Sequence, residues 1–197
     1  LKTFRSLVVL KRPQQELWTI MRDHLVEFAG SIADIQAVHQ IERTAGADGI
    51  VHIVNEWHMR QQIPAPIRSM LKIGELGWID RNSWNAATNT CSWTIEPSFL
   101  GDHIACSGET TFTRAMAGRG TRVAFAGALD LKPGLLGSLG SMATTVSGFL
   151  ESIVTTIIPR NLRAVVEAAA AFDLPPDGDL PANADLRPNG DLPRDGT

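Results

Sequence analysis

The sequence predicts an α+β domain in which a curved antiparallel sheet of about seven strands closes around a long C-terminal α-helix. Three observations predict it: seven β-like segments joined mostly by short turns, one amphipathic helical stretch after the first of them, and a broad apolar helical pattern after the last. Short turns favour antiparallel neighbours, because parallel strands need crossover connections of a dozen or more residues. At 197 residues, with 44% hydrophobic and 20% charged content, the chain has the size and composition of one globular domain.

The elements follow in order. Residues 3–11, TFRSLVVLK, are β-like. Pro13 then opens the stretch PQQELWTIMRDHLVEF, in which Leu17, Ile20, Met21, His24, Leu25 and Phe28 recur at helical spacing, and Gly30 ends it. Strand patterns near 35–44 and 49–60 flank Ala45-Gly46-Ala47-Asp48-Gly49, whose two glycines suit a hairpin. In the second strand Val51, Ile53, Trp57 and Met59 share one face, while His52, Glu56, His58 and Arg60 share the other. Segment 63–72, IPAPIRSMLK, is too rich in proline to begin a strand and reads as a short helix or lid. Strands at 78–84, 91–97, 103–115 and 121–132 complete the sheet, the last two joined through MAGRG.

After Pro133 a Gly- and Ser-rich passage leads into a helical pattern from Thr144 to Phe172. Leu150, Ile153, Val154, Ile157, Ile158, Leu162, Val165, Val166 and Ala169 make a stripe wider than one sheet contact requires, so the helix is expected to be buried on most sides. Pro159 within it predicts a kink near Thr155. Beyond Phe172, Asp-Leu recurs at Asp173, Asp179, Asp185 and Asp191. So little apolar content does not offset the entropy of ordering, and the chain divides into a domain at 1–172 and a disordered or extended tail at 173–197.

Charge and motifs exclude several function classes. Net charge is −3, but the tail holds six Asp against two Arg, a net of −4, which leaves +1 on the body. A near-neutral body lacks the clustered basic face that nucleic acid binding needs. No stretch approaches the roughly 18 uninterrupted apolar residues of a membrane span, and the first residues lack the order of a signal peptide, so the expected location is the cytoplasm. GxSxG, Walker A and GxGxxG patterns are absent, which removes the usual sequence support for hydrolase, nucleotide and dinucleotide readings. Among His24, His39, His52, His58 and His103 there is no close-spaced ligand motif; His52 and His58 share a face but lie roughly 20 Å apart on an extended chain. Neither a metal nor a cofactor is expected. Cys91 and Cys106 form no disulfide framework, although they fall on neighbouring strands, where facing one another is open to them.

The order of elements resembles that of the START-like superfamily, also called SRPBCC, whose fold is the helix grip and whose members include lipid-transfer domains and polyketide cyclases. RSLVVLKRPQQELWTIMRDH resembles its first strand and Pro-led helix bearing Trp, and SGETTFTRAMAGRGTRVAFAGALDL resembles its last hairpin, so that the likeness spans residues 3–172. The segment IPAPIRSML is similar to a Pro-containing stretch of the PRELI-like phospholipid-transfer group. The resemblance implies the helix-grip fold and transfers no catalytic residue.

Trp57, Trp78, Trp84 and Trp93 all fall on strands, with Trp78 and Trp84 on one face by parity. Aromatic walls with a few polar groups are how proteins hold apolar small molecules. The expected ligand-binding set is Asn55, Trp57, Met59, Trp78, Asp80, Trp84, Trp93 and Phe125 from the sheet, with Phe149, Ile153 and Ile157 from the helix. Asn55 and Arg60 are candidate polar anchors for a headgroup. The expected partner is an apolar small molecule or lipid, carried or sensed, with transient membrane contact compatible with loading and the oligomeric state open. The alternative is an enzyme of cyclase or dehydratase type using a pocket acid or imidazole tuned by burial, for which Asp80, Glu109 and His39 are the candidates. A third reading is a protein-interaction module with a filled core and the Asp-Leu tail as its docking segment.

Overall fold

The computed structural model describes residues 2–60, 76–98, 104–131 and 158–174, together with positions 144, 145, 148 and 156. Its elements are β1 (Lys2–Leu10), α1 (Gln14–Asp23), α2 (Leu25–Ala29), β2 (Ile35–Ala45), β3 (Ile50–Met59), β4 (Gly77–Asn85), β5 (Thr90–Pro97), β6 (Ile104–Ala115), β7 (Gly120–Leu131) and α3 (Ile158–Ala171). The strands form one sheet in the order β1-β7-β6-β5-β4-β3-β2, antiparallel at every step. The architecture is a curved antiparallel sheet with a C-terminal helix. Each predicted strand is present, with ends shifted by a residue or two.

Alternation decides which face is which. On β3 the odd positions Ile53, Asn55, Trp57 and Met59 are buried, and on β6 the even positions Ile104, Cys106, Thr110 and Phe112 are. The pairing brings these sets onto one concave face, while Ser92, Glu109 and Arg122 lie exposed on the other. The hairpin predicted at 45–49 closes through Gly46 N–H donating to Ile50 O (2.8 Å), and Gly49 adopts φ 78°, a left-handed conformation that costs glycine little.

The helical stretch after Pro13 is two helices, not one. The backbone leaves the helix at His24 (φ −118°, ψ 15°), and each half finds its own surface: α1 packs on β6 and β7, α2 on β2. Trp18 anchors α1, edge-on to Trp84 at 5.0 Å and to Phe112 at 5.2 Å. Side chain to backbone bonds tie the same region down, Gln14 Nε2 donating to Phe112 O at 2.7 Å and Thr121 Oγ1 to Arg12 O at 2.6 Å.

In the described turns of α3 the apolar stripe is narrower than the sequence suggests. Val166 and Ala169 are buried with Asn161, Leu162 and Val165 are half-buried, and the exposed Arg163–Glu167 pair (2.8 Å) marks a solvent face. Pro159 is the second described residue of α3. The expected kink near Thr155, the segment 63–72, and the Asp-Leu repeat beyond Leu174 lie outside the described residues.

Candidate ligand-binding site

The polar centre of the concave face is Asp80. Register pairs it with Asn55 on β3 and Ile95 on β5, so all three side chains share the inner face. Asn55 donates both its backbone N–H (3.2 Å) and Nδ2 (2.9 Å) to Asp80 Oδ1, and Trp57 Nε1 donates to Oδ2 at 2.9 Å. Asp80 is 9% exposed and Asn55 2%. Burial pushes the Asp80 carboxyl up to about 6, against hydrogen bonds from Asn82, Asn55 and Trp57 that pull it down.

Aromatic groups flank this centre on both sides. Along the strand, Trp57 and Trp78 are register partners and stack at 5.3 Å with 18° between their planes. One rung the other way, Trp93 lies over two glycines that pair with each other, Gly108 and Gly127, and Phe4 stacks on it at 6.1 Å. A Cβ on Gly127 would stand 2.6 Å from both Phe4 Cζ and Trp93 Cη2, so the glycines are what lets the rings lie flat on the sheet. Trp93 Nε1 donates to Thr110 Oγ1 at 3.1 Å, which satisfies its buried indole.

No family model matches the sequence, and neither does any curated protein. Solved structures do match in three dimensions. The Zhui aromatase/cyclase from Streptomyces sp. R1128 aligns over 86% of this chain and 92% of its own, with TM-score 0.61 and 15% identity. TTHA0849 from Thermus thermophilus aligns over 86% and 98%, with TM-score 0.57 and 15% identity. Norcoclaurine synthase from Thalictrum flavum aligns over 86% and 84%, with TM-score 0.56 and 10% identity. The fold is the helix grip.

Within the helix grip the predicted site residues separate into groups. Asn55, Trp57, Trp78 and Asp80 form one contiguous cluster, with Met59 buried beyond it at the end of β3. Trp93 stands on the next inner rung, opposite Asn82. Trp84 and Phe125 share a further rung with Cys91 and Thr110, and Trp84 is taken up by packing under α1 against Trp18 and Phe112. Phe149, Ile153 and Ile157 lie outside the described residues.

Three pairings suggested by the sequence do not form. His39 and Glu109 are exposed on the outer face, away from Asp80, so the acid-base trio reduces to Asp80. Arg60 is exposed, with its backbone N–H donating to Asp34 O at 2.9 Å, whereas Asn55 is spent on Asp80. Cys91 pairs with Thr110 and Cys106 with Ile95, four positions apart along β6 and so about 13 Å, out of disulfide reach. What sequence reading missed is Asn82, whose parity with Asp80 and Trp84 was the available signal, and the contact of His39 with His58 at 5.5 Å, which needs the register of β2. Among the described residues no group of three or more His, Cys, Asp or Glu is placed to hold a metal ion, and no helix is long and apolar enough to cross a membrane.

Proposed function

We propose that this chain binds an apolar small molecule or lipid between the concave face of the sheet and the C-terminal helix, as a carrier or sensor. The observation that carries the reading is the composition of the inner face: stacked Trp57 and Trp78 on one side, Trp93 on the other, and a hydrogen-bonded polar cluster between them. Apolar walls with a few fixed polar groups give both the affinity and the orientation that small-molecule sites require. The helix grip, shared with an aromatase/cyclase and with norcoclaurine synthase, is compatible with such a ligand. Nucleic acid has no corresponding basic surface in this composition.

Native mass spectrometry of purified protein, before and after organic extraction, tests this reading first. An extractable bound mass, or saturable uptake of a fluorescent fatty acid near one per chain, supports it. An empty protein that takes up neither fatty acid nor aromatic probe overturns it.

The second reading is catalytic and rests on Asp80. A carboxyl near 6 populates both protonation states close to neutrality, as a general acid or base must. Cyclisation or dehydration of an aromatic or polyketide substrate is the matching reaction class. That reading requires turnover which Asp80→Asn abolishes while the variant retains its near-UV circular dichroism.

A further inference from the structure

Asp80 is held in place by donors that are all neutral. Asn55 contributes an amide and a backbone N–H, Trp57 an indole N–H, and Asn82 a further amide contact. Among the described residues no Lys, Arg or His is hydrogen-bonded to it. Among the described residues the hydrogen bonds therefore satisfy the carboxylate's geometry and bring no positive charge to it. A buried carboxylate without a counter-ion is costly in a medium of low dielectric constant. That cost shows as the shift of its titration to about 6, burial outweighing the donated bonds.

The surroundings say what kind of group would balance it. Trp57 donates to Oδ2 and stacks on Trp78, so the carboxylate lies beside a pair of parallel indoles. Aromatic faces attract cations, and do so more strongly when the site is desolvated. One negative charge and two indoles set among apolar side chains favour an ammonium group on an apolar body over an anionic or uncharged ligand.

We infer, resting on the ligand-binding reading above, that the ligand is a cationic amphiphile: an aromatic or aliphatic body carrying a protonated amine, whose ammonium stands against Asp80 and the Trp57–Trp78 stack. This runs against a free fatty acid, whose carboxylate would meet Asp80 with like charge. Asp80 is then the residue that selects among apolar ligands of similar size.

The groups that share its environment keep the pH response simple. β3 presents Asn55 and Trp57, its own strand presents Asn82 and Trp78, and β5 presents Ile95 and Cys91. Of these only Cys91 titrates, and burial, with the nearby Asp80 charge, pushes its thiol well above its ordinary range, so it stays neutral. His39 and Glu109 lie on the outer face.

The test is calorimetric titration of the full chain with naphthylethylamine and with its uncharged isostere naphthylethanol, at pH 7 and pH 5. With a carboxyl near 6, about nine-tenths is ionised at pH 7 and about one-tenth at pH 5. The amine is expected to bind at least about tenfold more tightly than the alcohol at pH 7 and to lose most of that preference at pH 5. Asp80→Asn should remove the preference at both pH values. If that variant does not fold, the pH dependence of the wild-type ratio decides alone. Equal binding of the two probes, or a preference that is the same at both pH values, overturns the inference and leaves the ligand-binding reading standing. Tight binding of a fluorescent fatty acid with neither probe bound overturns it as well. If no apolar probe binds at all, the ligand-binding reading fails and the inference falls with it.

Discussion

Asp80 and Asp23 show how the same side chain takes opposite roles in two surroundings. Asp23 is half-buried, which alone would raise its carboxyl, but hydrogen bonds from Arg22 (2.8 and 2.9 Å) and Arg43 (2.7 Å) hold it below the usual range. Its contribution to stability is present above the unfolded value and is lost as pH falls through the lowered one. Asp80 has no such cation among the described residues, and the sign reverses. Its folded carboxyl is raised from 3.8 to about 6, so the native state binds a proton that the unfolded chain releases between those values. Stability from this group is greatest below about pH 4, falls as pH rises towards 6, and is flat above; the shift corresponds to about 3 kcal/mol. Asp80→Asn should therefore gain on the wild type by an amount of that order between pH 4 and pH 7, whatever its offset from altered hydrogen bonds. Urea unfolding of both proteins at several pH values reads the difference directly. The parity of β3 and β4 made the inward side chains Trp57, Trp78 and Asp80 legible in the sequence. Their bonding was not, because Asp80 meets Asn55 only through a register that no single strand encodes.

At the scale of elements, α1 is held by a ring cluster and α2 by smaller contacts. Trp18 is 2% exposed between Trp84 and Phe112. Trp18→Ala should cost about 3–5 kcal/mol, the range for truncating a buried aromatic, with the loss seen in the denaturation midpoint at pH 7. The break between the two helices was hidden from sequence reading because His24 fits the helical stripe by spacing and is indeed buried, at 8% exposure. Its Nδ1 sits 3.0 Å from both Glu27 carboxylate oxygens, a local contact that a periodicity argument does not distinguish from helix continuation. The strands were more legible, since alternation and turn chemistry act over short distances. The bulges of β2, between Ile35 and Ala37 and between Gln40 and Glu42, were not, because a bulge is defined against its partner strand.

For the molecule as a whole, α3 is fastened near both of its ends. Arg160 pairs with Asp34 near its start, while near its end Arg12 Nη1 donates to Ala170 O (3.1 Å) and Phe172 packs on His24 at 5.7 Å and Phe28 at 6.0 Å. Phe172→Ala is expected to lower stability by about 2 kcal/mol, consistent with a half-buried aromatic. We propose further that residues beyond Leu174 act as a tail independent of the domain, so that a chain ending there should keep its thermal midpoint within about 2 °C of the full protein. A larger drop would place stabilising contacts in the repeat. The wide apolar stripe expected for the last helix is met only in part by its described turns, where Asn161 occupies a buried position that hydropathy alone would have given to an apolar residue.

The flat seat of Trp93 has a consequence for how this sequence can change. Phe4, Gly127, Gly108 and Trp93 lie side by side on four neighbouring strands, so two rings depend on two absent side chains. A side chain added at either glycine alone meets the rings: Gly127→Ala should destabilise by about 1–3 kcal/mol through their forced displacement. In a background where Phe4 is already Leu, the same substitution should cost less, since the shorter side chain leaves room for the new methyl group. Positions 4, 93, 108 and 127, far apart along the chain, thus form one compound character, and variation at any of them is conditional on the other three.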